Sequence, residues 1–308
     1  MISIGDETVR LDIDPVLGAS WRSLLVARHG TWIHLTRPSP PELARSTSAA
    51  SYSMFPYSNR IRYGRFSFEG IEYQLRDAER HALHGDVRER PWRIAPVEPE
   101  PLRRIACAFE FDSRDFPDFN YPFPLTISLT WIAMRGMVRG VGRITNVGVR
   151  TMPIGGGFHP YFSRDPAGVG DDIQLRFDAR YVYDMESDTP LPVAIADARS
   201  RGLDFRRARF APFGLDHCFG AWDGRAILNW PKTGISLRIH TAPAGWFDHL
   251  VVYSPEGRSF VAVEPAANAN DAFNLVERMP GAFPVKTLAP GASAGFEVMF
   301  EVHGITAR

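Results

Sequence analysis

The chain has 308 residues, and its 35 Lys and Arg balance 35 Asp and Glu for a formal net charge of +0. This balance gives no indication of a nucleic-acid, polyanionic or anionic-membrane partner. The hydrophobic fraction of 44% is close to that of ordinary globular proteins, and no apolar stretch is long enough to span a membrane.

The first residues, MISIGDETVRLDIDP, carry acidic side chains and lack the apolar segment of a signal peptide. The two cysteines, Cys107 and Cys218, belong to no CxxC pair and do not form a disulfide framework. We therefore expect a cytoplasmic protein, either a monomer or a homodimer.

The first element with a clear signature is a hairpin, in which FSF and IEYQL lie on either side of Glu69-Gly70. Beyond it, apolar residues alternate with smaller or polar ones at a period of two, which predicts half-buried strands. The alternating sets are, in chain order, Ile105, Cys107, Phe109 and Phe111; Leu125, Ile127, Leu129 and Trp131; Ile173, Leu175 and Phe177; Ile235, Leu237 and Ile239; and Phe296, Val298, Phe300 and Val302.

Convincing helices are scarce, because no long run shows apolar residues at helical spacing. The 26 Gly and 25 Pro are spread through the chain and separate many short elements. These features predict one all-β domain over residues 1–308, a large antiparallel sandwich or barrel with few short helices.

Polar residues in otherwise apolar stretches are the candidate site residues, and the first two stretches are NRI and HALHG. Arg60, which follows Asn59, carries five donors in a fixed fork, which suits sugar hydroxyls and equally suits loop carbonyls. His81 and His84 are three residues apart, but Gly85 favours a loop and no third ligand accompanies them. We therefore expect no metal site.

The third stretch, GGGFHPYF, leads through three glycines to a histidine followed by proline. Pro160 restricts His159 to an extended conformation, which suits a catalytic group and equally suits an ordinary packed histidine. The glycines Gly155, Gly156 and Gly157 indicate either a bulge or a close approach of the backbone, and such an approach could be to a ligand.

The last two candidates are acidic. Asp216 could accept hydrogen bonds from a ligand or form an Asx turn, which is the commoner use. Glu264 follows a very apolar run, and Pro265 is expected to end the strand there. A carboxylate at such a strand end either points into water or is partly desolvated, and desolvation would raise its pKa and make it a better base near neutrality.

These motifs, in this order, resemble those of the aldose 1-epimerases, also called galactose mutarotases. The shared pattern is NRI, then GRFSFEGIEYQL, LHG, HPYF, DHCF and finally EP followed by DAFN. The resemblance extends from Asn59 to Asn274 and implies a large antiparallel β-supersandwich. It also implies interconversion of the α and β anomers of a free aldose, with no metal and no organic cofactor.

Carried over residue by residue, the resemblance makes Glu264 the general base that takes the proton of the C1 hydroxyl. It makes His159 the general acid that protonates the ring oxygen O5, while His84 hydrogen-bonds near O5 or shares the proton transfer. The expected sugar-binding residues are Arg60, Asp216 and, as a weaker candidate, Asn59.

The chain departs from the family pattern around these residues. Asp86 replaces the second glycine of LHGG, HPYF replaces an HSYF-like motif, and SMFPYS replaces a GRVA-like stretch. The identity of the hexose therefore stays open. A phosphorylated or sulfonated hexose is an alternative if Arg62, Arg65 or Arg164 reaches the pocket, and a non-catalytic sugar-binding protein is another.

Overall fold

A computed structural model describes residues 1–76, 81–186, 189–279 and 284–307. Within these ranges the chain forms short 3₁₀ helices at Ser46–Ser48, Val87–Glu89, Glu100–Arg104 and Ser113–Asp115, and one α-helix, α1 (Ala272–Arg278). The strands are β1 (Ile2–Gly5), β2 (Val9–Asp14), β3 (Ser20–Arg28), β4 (Thr31–His34), β5 (Arg60–Arg62), β6 (Arg65–Phe68), β7 (Ile71–Gln74), β8 (His81–Leu83), β9 (Arg93–Ala95), β10 (Ala106–Asp112), β11 (Leu125–Met134), β12 (Met137–Asn146), β13 (Met152–Ile154), β14 (Tyr161–Ser163), β15 (Gln174–Met185), β16 (Pro192–Asp197), β17 (Arg209–Phe210), β18 (Leu215–Trp230), β19 (Ile235–Ala242), β20 (His249–Ser254), β21 (Phe260–Ala266), β22 (Lys286–Leu288) and β23 (Ser293–His303).

The largest sheet follows the order β14-β21-β20-β18-β19-β23-β12-β11-β10-β9. The long strand β18 joins its two halves, because the first half pairs with β20 and the second half pairs with β19. Its other edge pairs with β15. A smaller sheet has the order β1-β2-β3-β4.

The two sheets pack face to face through aromatic side chains. Trp21 of β3 contacts Trp131 of β11 at a ring-centroid distance of 4.8 Å and Phe300 of β23 at 5.2 Å. All three rings are nearly or fully buried, as expected for the large apolar area that an aromatic core residue removes from water. The predicted antiparallel β-supersandwich is confirmed.

The period-two patterns locate the strands that they predict, and two of the predicted first residues lie one position before the strand begins. Ile105 and Ile173 precede the strands that they were expected to begin, β10 and β15. The predicted hairpin is confirmed as β6–β7, and its turn residues Glu69 and Gly70 both have positive φ, 50° and 74°. A two-residue turn with two positive φ angles matches the twist of the flanking strands.

The one α-helix of the described ranges has seven residues. No helix in that part of the chain is long and apolar enough to cross a membrane.

Candidate active site

A cavity of about 240 Å³ opens at the end of the large sheet formed by β14, β21, β20 and β18. Pockets for drug-sized ligands run to roughly 300–1,000 Å³, so this cavity suits a smaller ligand. Every site residue predicted from the sequence lines this one cavity: Asn59, Arg60, His84, His159, Asp216 and Glu264.

The register of three neighbouring strands places the two acidic residues on one face of the sheet. Val251 of β20 lies opposite Glu264 of β21 on one side and Cys218 of β18 on the other, and Asp216 is two residues before Cys218. Residues two apart in a strand share a face. Asp216 therefore lies within a strand and not in an Asx turn, so that alternative is wrong.

Glu264 is buried within the sheet and does not point into water. Its side chain is 2% exposed. Pairing with β20 continues through Pro265 to Ala266, so the expectation that Pro265 ends the strand is wrong. The other edge of the strand meets the segment before His159. There the carbonyl of Pro265 accepts a hydrogen bond from Phe158 N at 3.1 Å, so the proline is accommodated within the sheet.

His159 is fixed between two parts of the backbone. Its N–H donates to Tyr52 O at 3.0 Å, and isolated bridges join Phe158 to Ser53 and Gly157 to Ala266. The imidazole ring also stacks on Tyr52, at a centroid distance of 4.7 Å. The direction of the side chain is therefore set by contacts on both sides of the segment.

The three glycines before His159 make room for protein and not for ligand. A Cβ on Gly155 would overlap the side chain of Asn268, and one on Gly156 would overlap the ring of Phe55. A Cβ on Gly157 would press on the carbonyl oxygen of Pro265. The expectation that these glycines bring the backbone close to the ligand is wrong, because the space beside each of them is filled by protein, and at Gly157 by the strand that carries the glutamate.

The imidazole and the carboxyl group meet in the cavity. His159 Nε2 lies 3.1 Å from Glu264 Oε1, with side chains 7% and 2% exposed. Among the described residues, Glu264 Oε2 and His159 Nδ1 have no hydrogen-bond partner. Buried polar atoms are nearly always hydrogen-bonded, so the free carboxyl oxygen is suited to a ligand hydroxyl.

Burial acts on the two groups in opposite directions. It lowers the pKa of His159 to about 3, helped by the charge of Arg37. Burial also raises the pKa of Glu264 well above its ordinary value, and the negative charge of Asp216 adds to the effect. Both shifts favour a protonated carboxyl beside a neutral imidazole, while the direct contact favours the ion pair. Because moving one proton across the 3.1 Å contact interconverts the two forms, the pair titrates as a unit.

His84 is arranged as a hydrogen-bond donor. Its Nδ1 accepts from the backbone N–H of Asn59 at 3.2 Å, so in the neutral ring the proton is on Nε2. Burial lowers the pKa of His84 well below its ordinary value, and the neighbouring His159 adds to the effect. Asn59 itself donates through its side chain to Asn268 O at 2.7 Å, which indicates a largely structural role.

Arg60 and Asp216 supply polar groups to another part of the cavity wall. No described residue accepts a hydrogen bond from the half-buried Arg60 guanidinium. Burial lowers the pKa of Arg60, and the charge of Asp216 opposes this shift. Burial raises the pKa of the Asp216 carboxyl, and Arg60 opposes that shift in turn. The two charges influence each other without forming an ion pair, which leaves both available to hydroxyl groups.

Sequence reasoning missed the residue that anchors the NRI segment. Asp271 is 0% exposed and accepts hydrogen bonds from Arg62 N, Asn274 Nδ2 and Arg278 Nη1 at 2.7–2.9 Å. Its own backbone N–H donates to the carbonyl of Arg60 at 2.7 Å. An aspartate just before a helix is a common capping signal, but nothing local in the sequence indicates its long-range partners.

Replacing Asp271 by Ala is expected to lower the free energy of unfolding by about 2–3 kcal/mol, because it leaves the part-buried donors Arg62 N and Asn274 Nδ2 without their partner. Urea denaturation followed by circular dichroism measures the change. The matched control is Asp204→Ala, which breaks an exposed pair with Arg206 and is expected to cost only about 0–1 kcal/mol. Equal effects of the two substitutions would contradict the anchoring role of Asp271.

The chain is similar to known proteins over most of its length. The chain is 26% identical over 269 residues to the uncharacterized protein YphB of Escherichia coli K12, covering 84% of this chain and 85% of that protein. The crystal structure of a putative aldose 1-epimerase from the same organism has a TM-score of 0.81 at 21% identity, over 98% of both chains. A GalM/aldose epimerase homologue from C. elegans has a TM-score of 0.79 at 19% identity, over 99% of both chains.

At these identities the solved structures show a shared fold. The profile of one protein family, described as Aldose 1-epimerase, matches residues 2–301. Because that match spans nearly the whole chain, the protein belongs to the aldose 1-epimerase family, a family of isomerases.

Proposed function

We propose that the protein is a mutarotase that interconverts the α and β anomers of a free hexose by opening and reclosing the sugar ring. The observation that carries this proposal is the contact between His159 Nε2 and Glu264 Oε1 inside a small polar cavity. Mutarotation needs one base and one acid that act on two oxygens of the same carbon, and this contact places such groups side by side.

The reaction begins with the pair in its ion-pair form. The Glu264 carboxylate takes the proton of the C1 hydroxyl, and the electrons of that O–H bond form the C1=O1 double bond. The C1–O5 bond breaks, its electrons pass to O5, and the His159 imidazolium protonates O5. This leaves an open-chain aldehyde, a protonated Glu264 and a neutral His159, which is the state that burial favours.

Rotation about C1–C2 then presents the other face of the aldehyde. The O5 hydroxyl attacks C1 and returns its proton to His159, while Glu264 protonates O1, so that the ring closes as the other anomer. Since each proton transfer is reversed on closing, the enzyme ends in its starting state. The neutral His84 donates a hydrogen bond near O5 and does not supply the transferred proton, and Arg60 and Asp216 hold the hydroxyls of the ring.

The alternative of a phosphorylated or sulfonated hexose lacks support from the arginines that it requires. None of Arg62, Arg65 and Arg164 lines the cavity. Arg62 pairs with Glu186, and Arg164 is engaged by Asp172 and by Ser254 Oγ. Among the described residues, Arg60 is the one arginine that lines the cavity, and the charge of Asp216 acts on its pKa. We therefore propose a neutral hexose.

The pair of titrating groups leads to a prediction about pH. The active form of the enzyme carries one proton on the Glu264–His159 pair, so kcat/KM should fall when a second proton binds or when the single proton leaves. Because the pKa of His159 is lowered, the acid limb is expected below the value of about 6.5 that is typical of histidine. Because the pKa of Glu264 is raised, the basic limb is expected above that of an ordinary glutamate.

The pH profile is measured by following anomer interconversion in dilute buffers, with the spontaneous and buffer-catalysed rates subtracted. The position of the acid limb is the sensitive readout. A kcat/KM that declines already as the pH drops through 6.5 would contradict the assignment of a buried, easily deprotonated acid.

The proposed activity is tested by polarimetry on freshly dissolved α-glucose and α-galactose, with and without the enzyme. A rapid, enzyme-dependent approach to the equilibrium rotation is the expected result for at least one sugar. The same assay on glucose 6-phosphate and on a sulfonated hexose examines the alternative substrates. Acceleration with an anionic sugar alone would overturn the neutral-hexose proposal, and no acceleration with any sugar would leave a sugar-binding protein.

A further inference from the structure

A cationic side chain outside the cavity stacks on a ring that in turn stacks on His159. The Arg37 guanidinium carbon lies 3.4 Å from the centroid of the Tyr161 ring. The Tyr161 ring lies 4.4 Å from the imidazole of His159, with the planes inclined by 34°. Arg37, Tyr161 and His159 therefore form a continuous stack that leads from outside the cavity to the Glu264 contact.

Hydrogen bonds hold the stack at its outer end. The Arg37 guanidinium donates to the carbonyls of Thr47 and Ala49, and the Arg37 backbone N–H donates to Tyr161 O at 2.9 Å. Arg37 is only partly exposed, and it makes no ion pair with any carboxylate of the described residues. The two carbonyls and the rings of Tyr161 and Phe260 satisfy the guanidinium, but none of them carries a negative charge that would cancel its field.

Arg37 is the cation near His159 that has no carboxylate partner among the described residues. Arg88, which lies 5.7 Å from the Tyr52 ring, is neutralised by Glu89. The groups that face the imidazole from the elements packed around it are Glu264 of β21, His84 after β8, Tyr52 before β5, Tyr161 of β14, Arg37 after β4 and Arg88 of the 3₁₀ helix. Arg37 is thus the uncompensated positive charge of this set.

We propose that Arg37 is a positioning residue which, through Tyr161, both orients His159 and makes its imidazolium a strong acid toward the sugar ring oxygen. This inference rests on the proposed function and adds a residue to it. The ring oxygen of a hemiacetal is a weak base, and a weakly basic acceptor is protonated faster by a stronger acid. The unpaired charge of Arg37 disfavours a second positive charge on His159 and so promotes release of the proton to O5.

Two substitutions of Arg37 distinguish the effect of its charge on His159 from the effect of its packing. Arg37→Gln keeps a planar donor for the carbonyls of Thr47 and Ala49 but removes the charge, whereas Arg37→Lys keeps the charge. The first readout is independent of activity: the pH titration of the His159 imidazole, followed by ¹⁵N NMR in the full-length protein. We expect the His159 titration to move upward by about one pH unit in Arg37→Gln and to stay near the wild-type position in Arg37→Lys.

The second readout is kinetic. In Arg37→Gln the acid limb of kcat/KM should move upward together with the NMR titration, while KM changes little. In Arg37→Lys the acid limb should stay near its wild-type position. The matched control is Arg104→Gln, which removes the same charge from an exposed 3₁₀ helix and should change neither readout.

The outcomes distinguish this inference from the proposed function. An unchanged His159 titration in Arg37→Gln overturns the inference, whatever the enzyme does to sugars. A shifted titration in a protein without mutarotase activity supports the Arg37 stack and overturns the proposed function. Loss of activity in both Arg37 variants without a shift would show a packing role alone and would also overturn the inference.

Discussion

Replacing Glu264 by Gln is expected to lower kcat for mutarotation by about 10²–10⁴-fold, the usual contribution of a general base. Glutamine matches the shape of the carboxyl group and can still contact His159, but it cannot take the proton of the C1 hydroxyl. The KM is expected to change little, because the cavity keeps its other polar groups. Polarimetry at saturating sugar, compared with wild type at equal concentration, measures the loss.

The matched control for this variant is Glu256→Gln, an exposed glutamate in a turn, which should keep wild-type kcat. Circular dichroism of Glu264→Gln should show an intact β-fold, so that a loss of activity reports chemistry and not unfolding. A Glu264→Gln enzyme with a kcat within about threefold of wild type would remove Glu264 from the role of base.

The second large effect is expected at His159. His159→Gln places an amide near the former position of Nε2 but has no group that can protonate O5, so kcat should fall by about 10²–10⁴-fold. His84→Gln is the informative comparison, because a neutral hydrogen-bond donor contributes less than a proton donor. We expect its loss to be about 10-fold, with a rise in KM.

The comparison of the two variants shows which histidine transfers the proton. Initial rates over a range of sugar concentrations give kcat and KM for both. If His84→Gln is the slower enzyme in kcat, the two histidines must exchange roles in the mechanism.

Much of the fold follows from local patterns in the sequence. The alternation in Leu125, Ile127, Leu129 and Trp131 marks a strand with one buried face, and the structure buries all four in β11. Such a pattern defines each strand but not its neighbours, because pairing depends on contacts between distant parts of the chain. The branching of the sheet at β18 is accordingly not visible in its own sequence.

The candidate site shows the same division. The motif order identified Glu264 and His159, and the structure places them 3.1 Å apart. The motif order could not show that the side chain of Asn268 fills the space beside Gly155, or that Arg37 lies behind Tyr161. These contacts join segments that are far apart in the chain, and no local sequence pattern links them. The prediction for the three glycines is wrong for the same reason, because a glycine indicates that another group comes close to the backbone but does not identify that group.

The measurement that tests the central claim most directly is two-dimensional exchange NMR on an equilibrated hexose in the presence of the enzyme. The experiment sees the two anomeric protons separately and detects their interconversion without any net reaction. The account predicts exchange cross-peaks between the α and β anomeric protons with wild-type enzyme, and none above the spontaneous level with Glu264→Gln. Wild-type spectra without cross-peaks for glucose, galactose or other neutral hexoses, or equal cross-peaks with both enzymes, would contradict it.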